Sequence, residues 1–264
     1  MNCKIVLRNI RKEFKEYVTN AKLKSVVLGI SGGIDSAIVA AIVKPVCENL
    51  KFKLIGVSLP SSSNKNEEVW RANEVMFNLC TEYKAICIDD FVNSFKTVLM
   101  PDVVTKEDKI AVGNIKARCR MITLYNIAFM NKGMVLGTDN LTEYNLGFWS
   151  LHGDVGDFSA IQYLWKTEVY ALSQYIVDTE LKDNPKSAKA LQDCIDAVPT
   201  DGLGITNSDL DQIGVKTYAE VDNIFKDYLT DGSRKDSPVI QRHLRTEFKR
   251  SNPYCISRKR LFKE

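Results

Sequence analysis

The most informative residues of this chain are Ser31-Gly32-Gly33-Ile34-Asp35-Ser36. Before it, residues 25–30 form an apolar, β-branched run of buried-strand length, and after it residues 37–43 are apolar positions suited to a helix. The order is strand, glycine turn, helix. Two adjacent glycines allow a positive φ and let a ligand approach the backbone closely. The sequence therefore predicts a turn that binds phosphate, because the free N–H groups of the following helix point towards it.

Polar side chains within the turn indicate what it binds. Ser31 and Ser36 supply hydroxyl donors, whereas the carboxylate of Asp35 would repel a phosphate unless a divalent cation lay between them. A purely structural interpretation also exists, because glycine, serine and aspartate are favoured at strand-to-helix bends. The turn has no lysine and so differs from the Walker loop. SGGIDS resembles the PP-loop of the ATP pyrophosphatases, which bind ATP and cleave between its α and β phosphates to adenylate a substrate.

Composition and charge are those of an ordinary globular enzyme. The chain has 264 residues, of which 45% are hydrophobic and 26% charged, and its net charge of +3 indicates neither a nucleic-acid nor a membrane partner. Its seven cysteines form no CxxC pair, which favours reduced thiols over a zinc site or a disulfide framework. No signal peptide or membrane span is evident. We therefore expect a cytoplasmic protein.

The C-terminal segment is the most basic part of the chain. Residues 242–264 carry eight Arg or Lys against two Glu, which leaves +6. Such a run is usually a solvated surface and otherwise marks a polyanionic partner. A nucleoside triphosphate is a sufficient polyanion, and tRNA is the alternative. His243 in this segment is expected at the surface, and it lies too far from His152 in sequence for a local metal pair.

Apolar periodicity predicts alternating helices and strands. Helices are predicted over residues 4–20, 37–43, 67–80 and 111–131, and strands over 25–30, 54–59, 85–88 and 134–137. Pro45 is expected to kink the second helix or to begin a new one. Residues 90–110 and 199–215 are expected to form loops that order over bound ATP. The alternation predicts an α/β fold with a doubly wound parallel sheet flanked by helices, as one domain over residues 1–264.

A second motif follows the fourth predicted strand. Residues 137–143 read Gly-Thr-Asp-Asn-Leu-Thr-Glu and leave the strand at its carboxyl end, beside the glycine turn. Thr138 is placed to donate to a phosphate or ribose oxygen, and Glu143 to give the cation a second carboxylate. Taken alone, Glu143 is better explained as a first-turn residue favoured by the helix dipole.

Several further motifs, at their spacing after SGGIDS, resemble the ammonia-dependent NAD synthetase family. They are GNIKAR at 113–118, GTDNLTE at 137–143, GFWSLHGDVGD at 147–157, LWKTEVYAL at 164–172 and PTDGL at 199–203. The match runs from about residue 25 to about residue 250, nearly the whole chain. The resemblance implies a Rossmann-like fold of the adenine nucleotide alpha hydrolase type. It also implies a homodimer that amidates nicotinic acid adenine dinucleotide (deamido-NAD) with ATP and Mg²⁺.

The resemblance assigns a role to each matching residue. Asp35 and Glu143 would hold Mg²⁺, and Asp154 is a candidate for the ammonia site. Arg118, Asp157 and Lys249 would contact deamido-NAD. The residues that would contact ATP are Gly29, Ile30, Ser31, Gly32, Gly33, Ile34, Asp35, Ser36, Thr138, Lys166 and Thr200. Two positions depart from the pattern of many bacterial members: Leu151 stands where they carry lysine, and Phe248 where they carry histidine.

The reaction implied is a two-step ligation. The nicotinate carboxylate attacks the α-phosphorus of ATP, and ammonia then displaces AMP from the acyl-adenylate to give NAD⁺. The chain has no added length for a glutamine-hydrolysing domain, so ammonia is the expected nitrogen donor. Two alternatives stay open: another PP-loop enzyme that adenylates a tRNA or purine acceptor, and a nucleotide-binding paralogue without catalysis.

Overall fold

A parallel five-stranded sheet forms the centre of the molecule. The structure is a computed structural model that describes residues 1–100, 105–154, 156–198, 210 and 213–262. Its strands are β1 (Ser25–Gly29), β2 (Lys53–Ser58), β3 (Glu82–Ala85), β4 (Gly133–Gly137) and β5 (Phe158–Ser159). They lie in the order β3-β2-β1-β4-β5, and every pair is parallel. The predicted α/β fold with a doubly wound parallel sheet is confirmed.

Helices connect the strands and continue beyond them. The first eight are α1 (Cys3–Asn20), α2 (Ile34–Leu50), α3 (Asn66–Leu79), α4 (Asp89–Leu99), α5 (Lys106–Met130), α6 (Leu141–Leu146), α7 (Lys166–Thr179) and α8 (Pro185–Ile195). Among the residues described in the C-terminal part, the helices are α9 (Tyr218–Asp231), α10 (Pro238–Arg245), α11 (Glu247–Arg250) and α12 (Arg258–Leu261).

The two faces of the sheet are covered by different helices. The larger core packs α1, α2, α3, α7 and α8 on one face, around side chains such as Phe14, Ile38 and Met76. The smaller core packs α4 and α5 on the other face, against Val27 and Val135. Strands buried on both faces read as continuous apolar runs, which is why residues 25–29 show no alternation.

A third core lies in the C-terminal part of the chain. Leu146 of α6 packs against α9 and α10 through Phe225 and Val239, all fully buried. Because α6 carries Glu143, this core supports one of the predicted site residues from behind.

Helix α2 runs unbroken through Pro45, so no new helix begins there. A proline removes the hydrogen bond to the carbonyl four residues earlier, here that of Ala41. The guanidinium of Arg11 in α1 reaches that carbonyl at 3.4 Å and the carbonyl of Ile42 at 2.9 Å. Glu180 holds the same guanidinium through two hydrogen bonds, so the freed acceptor is satisfied from a neighbouring helix.

Two other predictions of local structure were wrong. The third strand spans Glu82–Ala85 rather than residues 85–88, because this edge strand is exposed along its length. The apolar signal came instead from Ile88, which is buried just after the strand. The described part of residues 90–110 is mainly helical rather than a loop, since α4 extends to Leu99 and α5 begins at Lys106. In the part of the chain that the structure describes, no helix is long and apolar enough to cross a membrane.

Candidate active site

The glycine turn and the Glu143 segment leave neighbouring strands at the same edge of the sheet. The turn follows β1 and the Glu143 segment follows β4, and these two strands pair directly. Strand order reverses between them, because β2 and β3 lie on one side of β1 and β4 and β5 on the other. Open α/β sheets bind ligands in the crevice at such a reversal, beyond the carboxyl ends of the strands.

The glycine turn needs its first glycine and leaves helix N–H groups free. Gly32 has a φ of +81°, and a Cβ there would lie 2.3 Å from the carbonyl oxygen of Glu68 in α3. The N–H of Ser31 donates to Ser36 Oγ, and that of Gly33 to Ser31 Oγ, each at 3.2 Å. Gly33 is the N-cap and offers no capping side chain. The first N–H groups of α2 therefore lack an intrahelical partner and suit an anion.

A buried lysine joins the two predicted metal-binding carboxylates. Lys166 is the first residue of α7, and its side chain is 3% exposed. Its Nζ donates to Oε1 of Glu143 at 2.9 Å and also to Oδ2 of Asp35. The ammonium lies 5.4 Å from the centre of the Tyr218 ring. Two carboxylates on one ammonium leave a net negative charge in the crevice, which favours a further cation.

Asn140 fixes the relative position of the two carboxylates. It is fully buried and is the N-cap of α6, where its Oδ1 accepts from the N–H of Glu143 at 3.0 Å. Its Nδ2 donates to Oδ1 of Asp35 at 2.9 Å. One amide side chain thus holds Asp35 directly and Glu143 through its backbone. Asn140 was not among the predicted site residues, although an asparagine three residues before a glutamate is a helix-start signal.

The crowding of carboxylates is visible in their pKa values. Burial, together with the charge of Asp35, raises the pKa of Glu143 to about 7. Burial also raises the pKa of Asp139 well above its ordinary value, and the charges of Glu143, Asp154 and Asp35 add to the effect. Burial alone would lower the pKa of Lys166, but the charges of Asp35 and Glu143 raise it well above its ordinary value. Asp139 is a second member of the cluster to which the sequence analysis gave no role.

Asp154 lies on the segment after α6 (residues 147–154 and 156–157 as described). It is close enough to this cluster to interact with it electrostatically. Its Oδ2 accepts from the N–H of Ser150 at 2.6 Å. The carboxylate keeps an exposed surface, yet the protein packed around it desolvates it and raises its pKa, against the influence of Ser150, Arg120 and Lys249. A carboxylate with a raised pKa is a better proton acceptor than one in free solution.

Lys249 reaches the same segment from the C-terminal end of the chain. Its Nζ donates to the carbonyls of Gly147 at 2.7 Å and Trp149 at 2.5 Å, and lies 5.3 Å from the centre of the Trp149 ring. Burial lowers the pKa of this lysine, and Arg242 lowers it further. The basic C-terminal segment therefore contributes at least one cation to the crevice region.

Arg118 and Asp157 occupy the other end of the segment. The exposed Arg118 donates through Nη2 to the carbonyl of Leu151 at 3.1 Å. Asp157 accepts from Tyr125 Oη at 3.0 Å and from the N–H of Val135, within β4, at 2.8 Å. Both oxygens of Asp157 are thus engaged in holding the segment against the sheet.

Comparison with known proteins decides the family. The sequence model of the NAD synthase family matches residues 6–257 of this chain. The chain belongs to the NAD synthase family. It is accordingly a ligase of the ammonia-dependent NAD synthetase type, as the sequence motifs implied.

Curated relatives agree with this membership. The NH(3)-dependent NAD(+) synthetase of Thermoplasma acidophilum is 34% identical over 240 residues, which cover 89% of this chain and 91% of the relative. The protein of the same name from Mesoplasma florum is 34% identical over 255 residues, covering 95% and 96%.

Solved structures share the fold. NMN synthetase from Francisella tularensis superposes with a TM-score of 0.80 at 25% identity and covers 97% of this chain and 98% of its own. NH3-dependent NAD synthetase from Campylobacter jejuni gives a TM-score of 0.72 at 25% identity, covering 97% and 100%.

The donor set of this NAD synthase site fits the Mg²⁺ that the family resemblance implies. In this structure the Lys166 ammonium already stands between oxygens of Asp35 and Glu143 as a cation would. Mg²⁺ prefers hard oxygen ligands, and it typically takes one or two carboxylates together with substrate phosphates and water. Among the described residues, no three His, Cys, Asp or Glu side chains converge on one point as a metal site complete without substrate.

The structure brings some of the predicted residues together and leaves others apart. Asp35, Glu143 and Lys166 share hydrogen bonds, and the partly buried Thr138 directly follows β4 beside them. Arg118 and Lys249 contact different parts of the segment after α6. Thr200 and most of the predicted loop over residues 199–215 lie outside the described residues. The ATP and substrate roles of all these residues stay predictions.

One residue of the C-terminal segment is placed differently from the prediction. His243 is half-buried rather than at the surface, with its Nδ1 2.8 Å from the carbonyl oxygen of Asn145 and its ring edge-on to Phe225. The apolar positions of α9 and α10 close around this ring, so it belongs to the third core.

Proposed function

We propose that this chain amidates deamido-NAD with ammonia, consuming ATP and releasing NAD⁺, AMP and pyrophosphate. The observation that carries the proposal is the hydrogen-bonded set of Asp35, Glu143 and Lys166 beside the glycine turn. Asp35 and Glu143 supply oxygen ligands for a cation, and the ammonium of Lys166 suits a phosphate. A structural ion pair alone would not need to lie at the strand-order reversal, beside the free N–H groups of a helix.

In the first step the nicotinate carboxylate attacks the α-phosphorus of ATP. The N–H groups that begin α2 and the hydroxyls of Ser31 and Ser36 bind the phosphates, and Lys166 stabilises the charge that develops on the departing pyrophosphate. Mg²⁺, held by Asp35 and Glu143, supplies Lewis-acid polarisation of the phosphates when bound. A carbon-bound oxygen joins phosphorus, the bond to pyrophosphate breaks, and an acyl-adenylate results.

In the second step ammonia attacks the activated carbonyl. Asp154 accepts a proton from ammonium, and the resulting ammonia forms a carbon–nitrogen bond as AMP leaves with the former carboxylate oxygen and the attacking nitrogen releases a second proton to water. The raised pKa of Asp154 suits this role. Both steps proceed without a protein nucleophile, because the site works by positioning and charge stabilisation.

The remaining binding roles are proposed from the positions of the basic residues. Arg118 and Lys249, which hold the segment after α6 from two sides, would contact the anionic groups of deamido-NAD. Thr138 and Thr200 would contact ATP, and Asp157 would orient the segment near the substrate.

We further propose that the chain acts as a single cytoplasmic domain and as a homodimer. Sedimentation equilibrium is expected to give twice the chain mass, and a monomer at assay concentration would contradict the dimer.

A smaller substrate is the second candidate. The likeness to the NMN synthetase of F. tularensis covers nearly the whole of both chains. The same site chemistry would then amidate nicotinic acid mononucleotide, because the reacting carboxylate is identical and only the adenylyl half is missing.

One assay separates these possibilities. The purified chain is incubated with ATP, Mg²⁺ and ammonium, with deamido-NAD or nicotinic acid mononucleotide in parallel tubes, and glutamine replaces ammonium in a third set. We expect amidation of deamido-NAD with ammonium, loss of at least about 100-fold in Asp35→Ala, and full activity in Asp178→Ala, an exposed aspartate on α7. Faster turnover of the mononucleotide would favour the second candidate. Absence of ATP cleavage with either substrate would contradict both and make a tRNA acceptor or a non-catalytic role the next hypothesis.

A further inference from the structure

A fully buried carboxylate outside the proposed catalytic set lies directly behind it. Asp222 is on α9, between the buried apolar residues Val221 and Phe225, and is 0% exposed. Its Oδ1 accepts from Thr142 Oγ1 at 2.5 Å. Its Oδ2 accepts from the N–H of Thr167 at 3.0 Å and from Thr167 Oγ1 at 2.7 Å. Three donors from two other helices therefore converge on one side chain.

These donors belong to the neighbours of the proposed catalytic residues. Thr142 immediately precedes Glu143 on α6, and Thr167 immediately follows Lys166 on α7. The Thr142 hydroxyl also accepts from the backbone N–H of Lys166 at 2.8 Å, which links the starts of the two helices. Asp222 thus binds a neighbour of each partner in the Lys166–Glu143 hydrogen bond, through the Thr142 hydroxyl on one side and the Thr167 hydroxyl and backbone N–H on the other.

Burying a carboxylate in an apolar core carries a free-energy cost of desolvation, and an apolar side chain of similar volume would be buried there with a smaller free-energy cost. The carboxylate is tolerated because its oxygens accept from donors at the N-terminus of α7, where the helix dipole also favours negative charge. Among the described residues, all of its donors come from the two segments that present Lys166 and Glu143. A role in stability alone would not require that choice of partners.

We infer that Asp222 is a positioning residue that aligns Lys166 with Glu143 through Thr142 and Thr167. The inference rests on the proposed function of those two residues. The third core therefore sets the geometry of the crevice at the sheet edge. Displacement of a reacting group by about 1 Å can cost about 100-fold in rate, so loosening this link lowers kcat. It has less effect on the KM for ATP, because the Lys166 interaction strengthens in the transition state.

The test compares variants that keep shape but change the link. Asp222→Asn removes one acceptor, Thr142→Val removes the bridging hydroxyl, and Thr142→Ser restores it. Thr217→Ala is the matched stability control, because it removes the N-cap hydrogen bond of α9 at 3.2 Å without touching Asp222. Each protein is checked for folding by circular dichroism at the assay temperature before kcat and KM are measured.

The second readout is independent of turnover. Amide hydrogen exchange in the metal-free protein reports the N–H groups of Lys166 and Thr167, which donate to Thr142 and Asp222. We expect Asp222→Asn and Thr142→Val to lower kcat by about tenfold or more and to lose protection selectively at these two amides. Thr142→Ser and Thr217→Ala are expected within about threefold of wild-type kcat.

Two results would overturn the inference. One is a folded Asp222→Asn protein with wild-type kcat and wild-type exchange at residues 166 and 167. The other is an equal loss in Thr217→Ala, since activity would then follow stability alone. If the wild-type chain makes no product, the proposed function fails by itself. The exchange data then decide the positioning role, with uniform loss of protection counting against it.

Discussion

Lys166 is the residue whose surroundings say most about the site. Its ammonium is almost fully buried and shared by Asp35 and Glu143. A buried ion pair adds little net stability, but removing one partner leaves uncompensated charge in a dry environment. A cation therefore holds the two carboxylates together. The same carboxylate oxygens can bind another cation in place of the ammonium.

Removal of the lysine is the sharpest test at this scale. Lys166→Met leaves two buried carboxylates facing each other and is expected to lower the free energy of unfolding by about 3–5 kcal/mol at pH 7. The matched variant Lys189→Met breaks an exposed pair with Asp193, and about 0–1 kcal/mol is expected there. Urea unfolding of both proteins measures the difference. Equal stability of the two variants would contradict the buried charge cluster.

Residue types at the site were predictable where chemistry required them. Asp35 stood in a turn for phosphate and Glu143 after a neighbouring strand, so both were predicted from the sequence. Asn140 and Asp222 were not, because their roles depend on which helices meet in space. A capping asparagine or a helical aspartate has the same local sequence signal whether or not it lies behind a site.

At the scale of the element, the glycine turn is the most constrained backbone of the site. Gly32→Ala would force a Cβ against the carbonyl of Glu68 and an alanine into a left-handed φ. We expect this variant to lose about 1–3 kcal/mol of stability and most of its ATP affinity. Gly232→Ala is the control, because its φ is also left-handed at +75°, but a Cβ there meets nothing nearer than Lys235 Cε at 3.8 Å and lies outside the turn. Calorimetric ATP binding that is unchanged in Gly32→Ala would contradict the proposed phosphate turn.

Helix α10 carries a pH-dependent element of stability. Burial, with help from Arg250, lowers the pKa of His243, while the Asn145 carbonyl and Glu247 oppose the shift. Below the unfolded pKa of about 6.5 the unfolded chain binds a proton that the folded chain disfavours, so stability falls as pH falls. The free energy of unfolding is expected to decrease from pH 7 to pH 5.5, and less steeply in His243→Gln. Identical slopes for the two proteins would count against this burial.

Local sequence signals misjudged three elements for physical reasons. Pro45 does not end α2, because Arg11 from another helix donates to the carbonyl that lacks its usual backbone donor. The edge strand β3 has no buried face. Apolar periodicity therefore placed the predicted strand too close to the buried Ile88. The first residues of α5 are polar, so apolar periodicity missed the start of this helix. A capping box at Thr105 begins it. In each case a long-range contact or a cap, rather than apolar spacing, determined the boundary.

For the whole molecule, the alternation of strands and helices was enough to predict the doubly wound sheet and its binding edge. The reversal of strand order between β1 and β4 then brings the two motifs together. The sequence did not predict which helices cover each face of the sheet or how the C-terminal core supports α6. Both features depend on the three-dimensional arrangement. These contacts join segments far apart in sequence and leave no periodic signal of their own.

The measurement that we would make first is isotope transfer during turnover. Deamido-NAD labelled with ¹⁸O in its nicotinate carboxylate is incubated with ATP, Mg²⁺, ammonium and the wild-type chain, and the products are analysed by mass spectrometry. An acyl-adenylate formed at the Asp35, Glu143 and Lys166 site requires one labelled oxygen to appear in AMP, because the bond from that oxygen to carbon breaks when ammonia enters. Label found in inorganic phosphate or pyrophosphate, with none in AMP, would contradict adenylation and with it the proposed mechanism.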